Sequence, residues 1–105
     1  MRVVITHNAE ENLLGIYAYH AEYSIEYADT FQDEIISFLM ETLRDNPKFG
    51  RPYNEAAELR RLVYKKRHNV YYLIRDEVIY ILYIIGGRML LNTLLEEPDV
   101  ELPIY

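Results

Sequence analysis

The chain of 105 residues has no cysteine. Disulfides, thiol nucleophiles and zinc–thiolate sites are therefore excluded, and the composition fits a reducing compartment such as the cytoplasm. It also has no apolar run near the roughly 20 residues that cross a bilayer, so no membrane partner is expected. Met1-Arg2-Val3-Val4-Ile5 is too short to be the core of a signal peptide. Repeats and low-complexity tracts are missing, and nothing marks a domain boundary. His7 and His20 have no second ligand type at metal spacing, so neither a metal nor another cofactor is expected.

What is present is an apolar half of the composition. It implies one globular domain over residues 1–105, large enough to bury a core unaided. The organising stretch is Glu58–Arg88. Leu59–Tyr64, Asn69–Arg75 and Val78–Ile85 are dense in Val, Ile, Leu and Tyr, with polar breaks at Lys65–His68 and Asp76–Glu77. Such runs read as strands. Connections this short permit only antiparallel pairing. The last strand is apolar throughout, which predicts cover on both faces.

Upstream, Val3-Val4-Ile5 predicts a first strand that pairs with the last. Asn8 and Glu11 have the spacing of a helix-start capping pair. Ala9, Leu13, Ile16, Tyr17 and His20 then recur at helical spacing. Ser24 predicts a second cap, followed by Ala28, Phe31, Ile35, Phe38 and Thr42 along one face, which Ile36, Leu39 and Leu43 widen. Asn46-Pro47 ends this helix, because proline excludes helical geometry from the residue before it. Lys48–Ala57, with Gly50, Pro52 and Asn54, reads as a surface loop. Gly86-Gly87 breaks the last strand, Met89–Leu95 reads as a short helix or an extended piece, and Pro98 and Pro103 limit regular structure beyond. The expected fold is α+β: an N-terminal strand and an α-helical hairpin packed on a small antiparallel β-sheet, in the order β-αα-βββ.

The formal charge of −6 argues against a generic polyanion binder, yet the charge is uneven. Basic residues gather between Arg44 and Arg75, including Lys48, Arg51, Arg60, Arg61, Lys65, Lys66 and Arg67. Acids gather in the first helical region and near the C-terminus. This makes faces of opposite potential, although the lysines also serve to solubilise a hairpin turn. Arg60 and Arg61 must point to opposite faces of one strand. The one turned away from the basic surface is expected to pair with an acid such as Glu34 or Glu41. The 11 tyrosines are spread over helices and strands. That distribution favours core or partner-groove positions over a stacking surface for bases.

In this order the chain resembles the RelE/ParE superfamily of bacterial type II toxin–antitoxin toxins, nearer the ParE branch. Asn8-Ala9-Glu10-Glu11-Asn12-Leu13 is similar to the opening of the family's first helix. Asn46-Pro47-Lys48-Phe49-Gly50-Arg51-Pro52 resembles the loop after its second. Leu59-Arg60-Arg61-Leu62, Asn69–Asp76 and Val78–Ile85 resemble its following strands. The resemblance implies growth inhibition, a role in plasmid stabilisation, and a cognate antitoxin encoded beside the toxin. RelE-like members cut mRNA in the ribosomal A site, whereas ParE-like members poison DNA gyrase.

Cleavage of RNA needs convergent cations and an acid or base. Of the five RelE-type positions, Arg60 and Arg88 are kept, while Leu62, Asn69 and Leu94 stand where Lys or Arg, Arg and Tyr are usual. Leu in place of a cation beside the transition state forfeits much of its stabilisation, so binding rather than cleavage is the expected activity. The expected target-binding residues are Lys48, Arg51, Arg60, Lys65, Lys66, Arg67 and Arg88. The expected antitoxin-binding residues are Leu13, Tyr17, Met89, Leu90 and Leu94, reached by β-augmentation or helix-in-groove contacts. The alternatives are a ribosome-dependent mRNA endoribonuclease using Arg60, Lys66, His68 and Arg88, or an inactive toxin-fold protein. A homodimer and a toxin–antitoxin heterocomplex are both compatible with the resemblance.

Overall fold

From Ile81 to Ile85 no residue is more than 5% exposed, and these five side chains form the axis around which the rest is laid. The computed structural model describes residues 1–54 and 58–86. Its elements in chain order are β1 (Arg2–Ile5), α1 (His7–Ala21), α2 (Ile25–Asp45), β2 (Arg51–Asn54), β3 (Leu59–Tyr64), β4 (His68–Arg75) and β5 (Val78–Gly86). The sheet runs β1-β5-β4-β3-β2. β3, β4 and β5 form the expected antiparallel meander, and β1 pairs with β5.

Two features differ from the expected small antiparallel sheet of order β-αα-βββ. β1 runs parallel to β5, so the sheet is mixed. The stretch expected to be a loop contributes β2, an antiparallel edge strand bulged between Pro52 and Asn54. Its four residues include a proline, which removes a ladder donor and is tolerated at an edge. A strand so short has no periodicity to read.

α1 begins two residues earlier than the Asn8 spacing suggested. Thr6 is the N-cap, its Oγ1 accepting from the Ala9 amide at 3.4 Å. The same hydroxyl donates to the carbonyl of Ile81 at 2.8 Å. Asn8 instead hydrogen-bonds the Tyr83 side chain. Ser24 caps α2 as expected, accepting from the Tyr27 amide at 3.1 Å, and α2 ends at Asp45 before Pro47. Phe31, Ile35, Leu39 and Leu43 carry its buried face. With Ala9 and Leu13 of α1 they pack on Leu62, Tyr64, Val70, Tyr72, Ile79, Ile81 and Ile84. The opposite face of the sheet holds a second cluster, Leu59, Tyr71, Leu73, Leu82, Tyr83 and Ile85, flanked by Tyr53 and Tyr80. A bulge at Leu82 turns two consecutive β5 residues to that face, since Tyr71 pairs with Tyr83 and Tyr72 with Ile81. That is how an unbroken apolar run serves two cores.

The loop before β2 is clasped rather than loose. The Tyr72 hydroxyl accepts from the Gly50 amide and donates to the Pro47 carbonyl, both at 2.8 Å. A Cβ at Gly50 would lie 2.8 Å from the Tyr72 ring and hydroxyl and 2.9 Å from the Arg61 carbonyl. At the other end of β4, Asp76 and Glu77 have φ of 53° and 63°. Both central residues of this two-residue hairpin are thus left-handed, as a type I′ turn requires.

Tyr72→Phe is expected to destabilise the fold by about 1–3 kcal/mol, because it strands the buried Gly50 amide. Gly50→Ala should cost a similar amount, about 1–3 kcal/mol, through overpacking. Glu77→Gly should stabilise by about 0.5–1 kcal/mol by removing the left-handed penalty of a long side chain. Urea unfolding of the three variants measures all of these.

Candidate functional site

The basic surface arises from the β3–β4 hairpin and the edge beside it. Lys65 and Lys66 have φ of 49° and 60°, and the turn closes with the Arg67 amide on the Tyr64 carbonyl at 3.1 Å. Three cations in succession therefore project from a tight three-residue connection between Tyr64 and His68. Lys65 is spoken for: its Nζ donates to Glu34 Oε2 at 2.9 Å, and this hydrogen bond holds its ammonium above the usual lysine range. Both groups are exposed, so the pair orients the turn toward α2 more than it stabilises it. Lys66 and Arg67 are exposed and line a cleft with His68.

The two arginines of β3 do point to opposite faces. Arg60 turns toward the helices, half-buried, and its Nη1 donates to the Gly50 carbonyl at 2.6 Å. It is a strut of the loop rather than a target-facing cation, and neither Glu34 nor Glu41 is its partner. Arg61 is exposed on the other face, its guanidinium carbon 5.7 Å from the centre of the Tyr53 ring. Arg51, opposite Arg61 in register, shares that face, and Lys48 is exposed in the loop. Strand spacing puts Arg61 roughly 10 Å from the turn. The fold thus leaves two exposed basic pairs, Arg51 with Arg61 on the face away from the helices and Lys66 with Arg67 at the turn. Arg61 was findable from its parity with the buried Leu59, had the sheet's second apolar face been known.

Strand parity also bears on RNA cleavage. Leu62 is buried on the helix side with Arg60, whereas Asn69 pairs with Val63 on the opposite side. Arg60, Leu62 and Asn69 thus cannot occupy one site. His68 lies at the start of β4 in register with Tyr64, on the helix side. Tyr71, Tyr72 and Tyr83 have hydroxyls held above the usual tyrosine range, chiefly by burial, so they remain protonated at neutral pH. Among the described residues no group of three or more metal-ligating side chains occurs, and no helix is long and apolar enough to cross a membrane.

Of the expected antitoxin contacts, Leu13 is corrected: at 6% exposure it belongs to the core between α1 and the sheet. Its neighbour Leu14 is the exposed one. Tyr17 is half-buried, and its hydroxyl donates to Asp29 Oδ1 at 2.6 Å, latching α1 to α2. That bond holds the Tyr17 hydroxyl above its usual range. Arg88, Met89, Leu90 and Leu94 lie outside the described residues.

His20, read from the sequence as a helix-face residue, meets the Phe31 ring at 4.7 Å, and His68 meets the same ring at 5.2 Å. Burial, then the positive potential of His20 and of Arg67, pushes the His68 imidazole below its ordinary 6.5. Because the folded value is depressed, the unfolded chain takes up this proton first as the pH falls. His68 therefore contributes a loss of stability as the pH drops through about 6.5, levelling off below the folded value. Urea unfolding at pH 7.5 and 5.5 should show a drop that narrows in His68→Gln. An NMR titration of the His68 ring should show its midpoint rising in His20→Gln.

A family model described as the ParE toxin of the type II toxin–antitoxin system parDE matches residues 3–91. Among solved structures, the chromosomal ParDE TA system from P. aeruginosa is similar with a TM-score of 0.71 and 23% sequence identity, over 82% of this chain and 95% of that one. At that identity the likeness concerns the fold. No curated protein matches the chain.

Proposed function

The chain belongs to the ParE toxin family of type II toxin–antitoxin systems, and from that membership we propose that it poisons a cytoplasmic macromolecule such as DNA gyrase by binding it. A cognate antitoxin neutralises it, in a toxin–antitoxin heterocomplex. The observation that carries binding over cleavage is the parity of β3 and β4. Arg60 is tied to the Gly50 carbonyl on the helix side, while Asn69 stands on the other. The exposed cations are divided between two places, Arg51 and Arg61 on the face away from the helices and Lys66 and Arg67 at the turn, so they do not converge on one phosphate. Lys48, Arg51, Arg61, Lys66 and Arg67 are the target-facing residues in this reading, with Arg61 in the place first given to Arg60 and Lys65 set aside because Glu34 engages its ammonium. Arg88 and the antitoxin-facing Met89, Leu90 and Leu94 remain part of the proposal.

Controlled expression should arrest growth with accumulating double-strand breaks, and the purified chain should block gyrase supercoiling. Arg51→Glu combined with Arg61→Glu should weaken that block about tenfold or more, through lost electrostatic complementarity. Arg60→Ala should instead lower the unfolding free energy. Cleaved mRNA on translating ribosomes, abolished by His68→Ala, would replace this function with endoribonuclease activity. Growth without arrest would leave an inactive toxin fold.

A further inference from the structure

A cleft of about 1040 Å³ opens between the tip of the helical hairpin and the β3–β4 turn. Its walls come from α1, α2, the turn and the last residues of β5. Among the described residues its lining is positive on balance: Lys66 and Arg67 against one acid, Glu11. Glu11 is already engaged, its Oε1 lying 3.0 Å from His7 Nε2 outside the cleft lining. Two imidazoles, His20 and His68, and the Asn12 amide add to the polar part.

The Nδ1 atoms of both histidines are buried without a hydrogen-bond partner among the described residues. A buried N–H with no acceptor costs more than a bare lone pair that a neighbouring ring covers, so the proton of each neutral ring resides on Nε2. Among the described residues no acceptor meets either imidazole, and none meets the side chains of Lys66 and Arg67 beside them. Apolar surface adjoins them at Ile16 and Ile84. Tyr19 and Tyr27, at 61% and 52% exposure, extend it outward. The rings meet edge to face, with Tyr19, Tyr27 and Phe31 each set against His20 at 5.7, 5.0 and 4.7 Å. That arrangement presents ring edges and aliphatic surface rather than a parallel platform for bases.

We propose that this cleft docks an acidic polypeptide segment of a partner protein, whose carboxylates meet Lys66, Arg67, His20 and His68 while its apolar side chains rest on Ile16 and Ile84. The proposal rests on the toxin reading only for which protein brings the segment. Binding couples to protons. The titratable and charged groups around the imidazoles are Glu11 and Tyr19 from α1, Tyr27 from α2, Tyr64 from β3, and Lys66 and Arg67 from the turn. A carboxylate arriving beside His68 favours the imidazolium that burial disfavours there, so the complex takes up a proton and tightens as the pH falls.

The test uses the full chain and a short fluorescent peptide of alternating Glu and Leu, with a Gln-for-Glu peptide and a single-stranded RNA as comparisons. The expected result is binding of the acidic peptide with shifted His20 and His68 ring resonances, tightening between about pH 7.5 and about pH 6. Lys66→Glu with Arg67→Glu, both on an exposed turn, should weaken it about tenfold or more. His20→Gln with His68→Gln should remove the pH dependence, with circular dichroism confirming the fold of each variant. Equal binding of the Gln peptide, unmoved histidine resonances, or RNA taking the cleft in place of the peptide would overturn the proposal. A chain that arrests growth but ignores the acidic peptide overturns this proposal alone. A chain that binds the peptide in the cleft without arresting growth supports it and counts only against the toxin reading.

Discussion

The Thr6 hydroxyl donates to the Ile81 carbonyl and accepts from the Ala9 amide, so one buried side chain joins the end of β1, the start of α1 and the middle of β5. The Thr6 amide adds a second bond to the same carbonyl at 3.1 Å. A parallel edge strand of four residues has little pairing of its own. What holds it is this junction, in which strand ending and helix beginning share one set of partners. Asn12, a turn and a half further along α1, repeats the connection by accepting from the Ile84 amide at 2.9 Å. The hairpin is therefore hung from β5 by polar bonds at its edge and held flat by apolar packing beneath.

That suspension determines where the chain can meet other molecules. With α1 and α2 fixed over one face, the hairpin tip comes to rest beside the β3–β4 turn, and Phe31 lies between the two, touching His20, Tyr64 and His68. The ring contacts continue from Tyr64 through Phe38 to Phe49. An aromatic seam thus runs from the helix tip to the loop before β2, and the exposed cations stand along its border. Charge and apolar surface lie side by side, which suits recognition of a folded or extended protein better than chemistry on a small substrate.

The same geometry explains why residues that look like a nuclease remnant do not add up to one. Cations serve catalysis when they converge on one phosphate. In β3 the side chains alternate, so Arg60 and Arg61 diverge by construction. Arg60 ends on the Gly50 backbone carbonyl, and Arg61 lies over Tyr53. Each is used by its own face of the sheet. The tyrosines divide likewise, Tyr64 and Tyr72 to the helix side and Tyr71 and Tyr83 to the other.

Local chemistry determined the elements. The helix-period pattern after Ser24, the stop at Asn46-Pro47, the Val, Ile and Tyr runs and the short polar turns between them specify two helices and an antiparallel meander without reference to distant contacts. The family resemblance and the basic turn were legible for the same reason. Tertiary structure alone decided the rest. β2 exists because β3 offers an edge, not because Arg51–Asn54 has a pattern of its own. Thr6 displaces Asn8 as the cap because Ile81, remote in sequence, supplies a second partner for its hydroxyl. Leu13 is core and Leu14 surface because the sheet covers one side of α1. His20 and His68 become neighbours only when the hairpin settles on the meander. Periodicity and turn chemistry report what a residue does to the chain next to it, whereas convergence across the fold depends on which faces are pressed together.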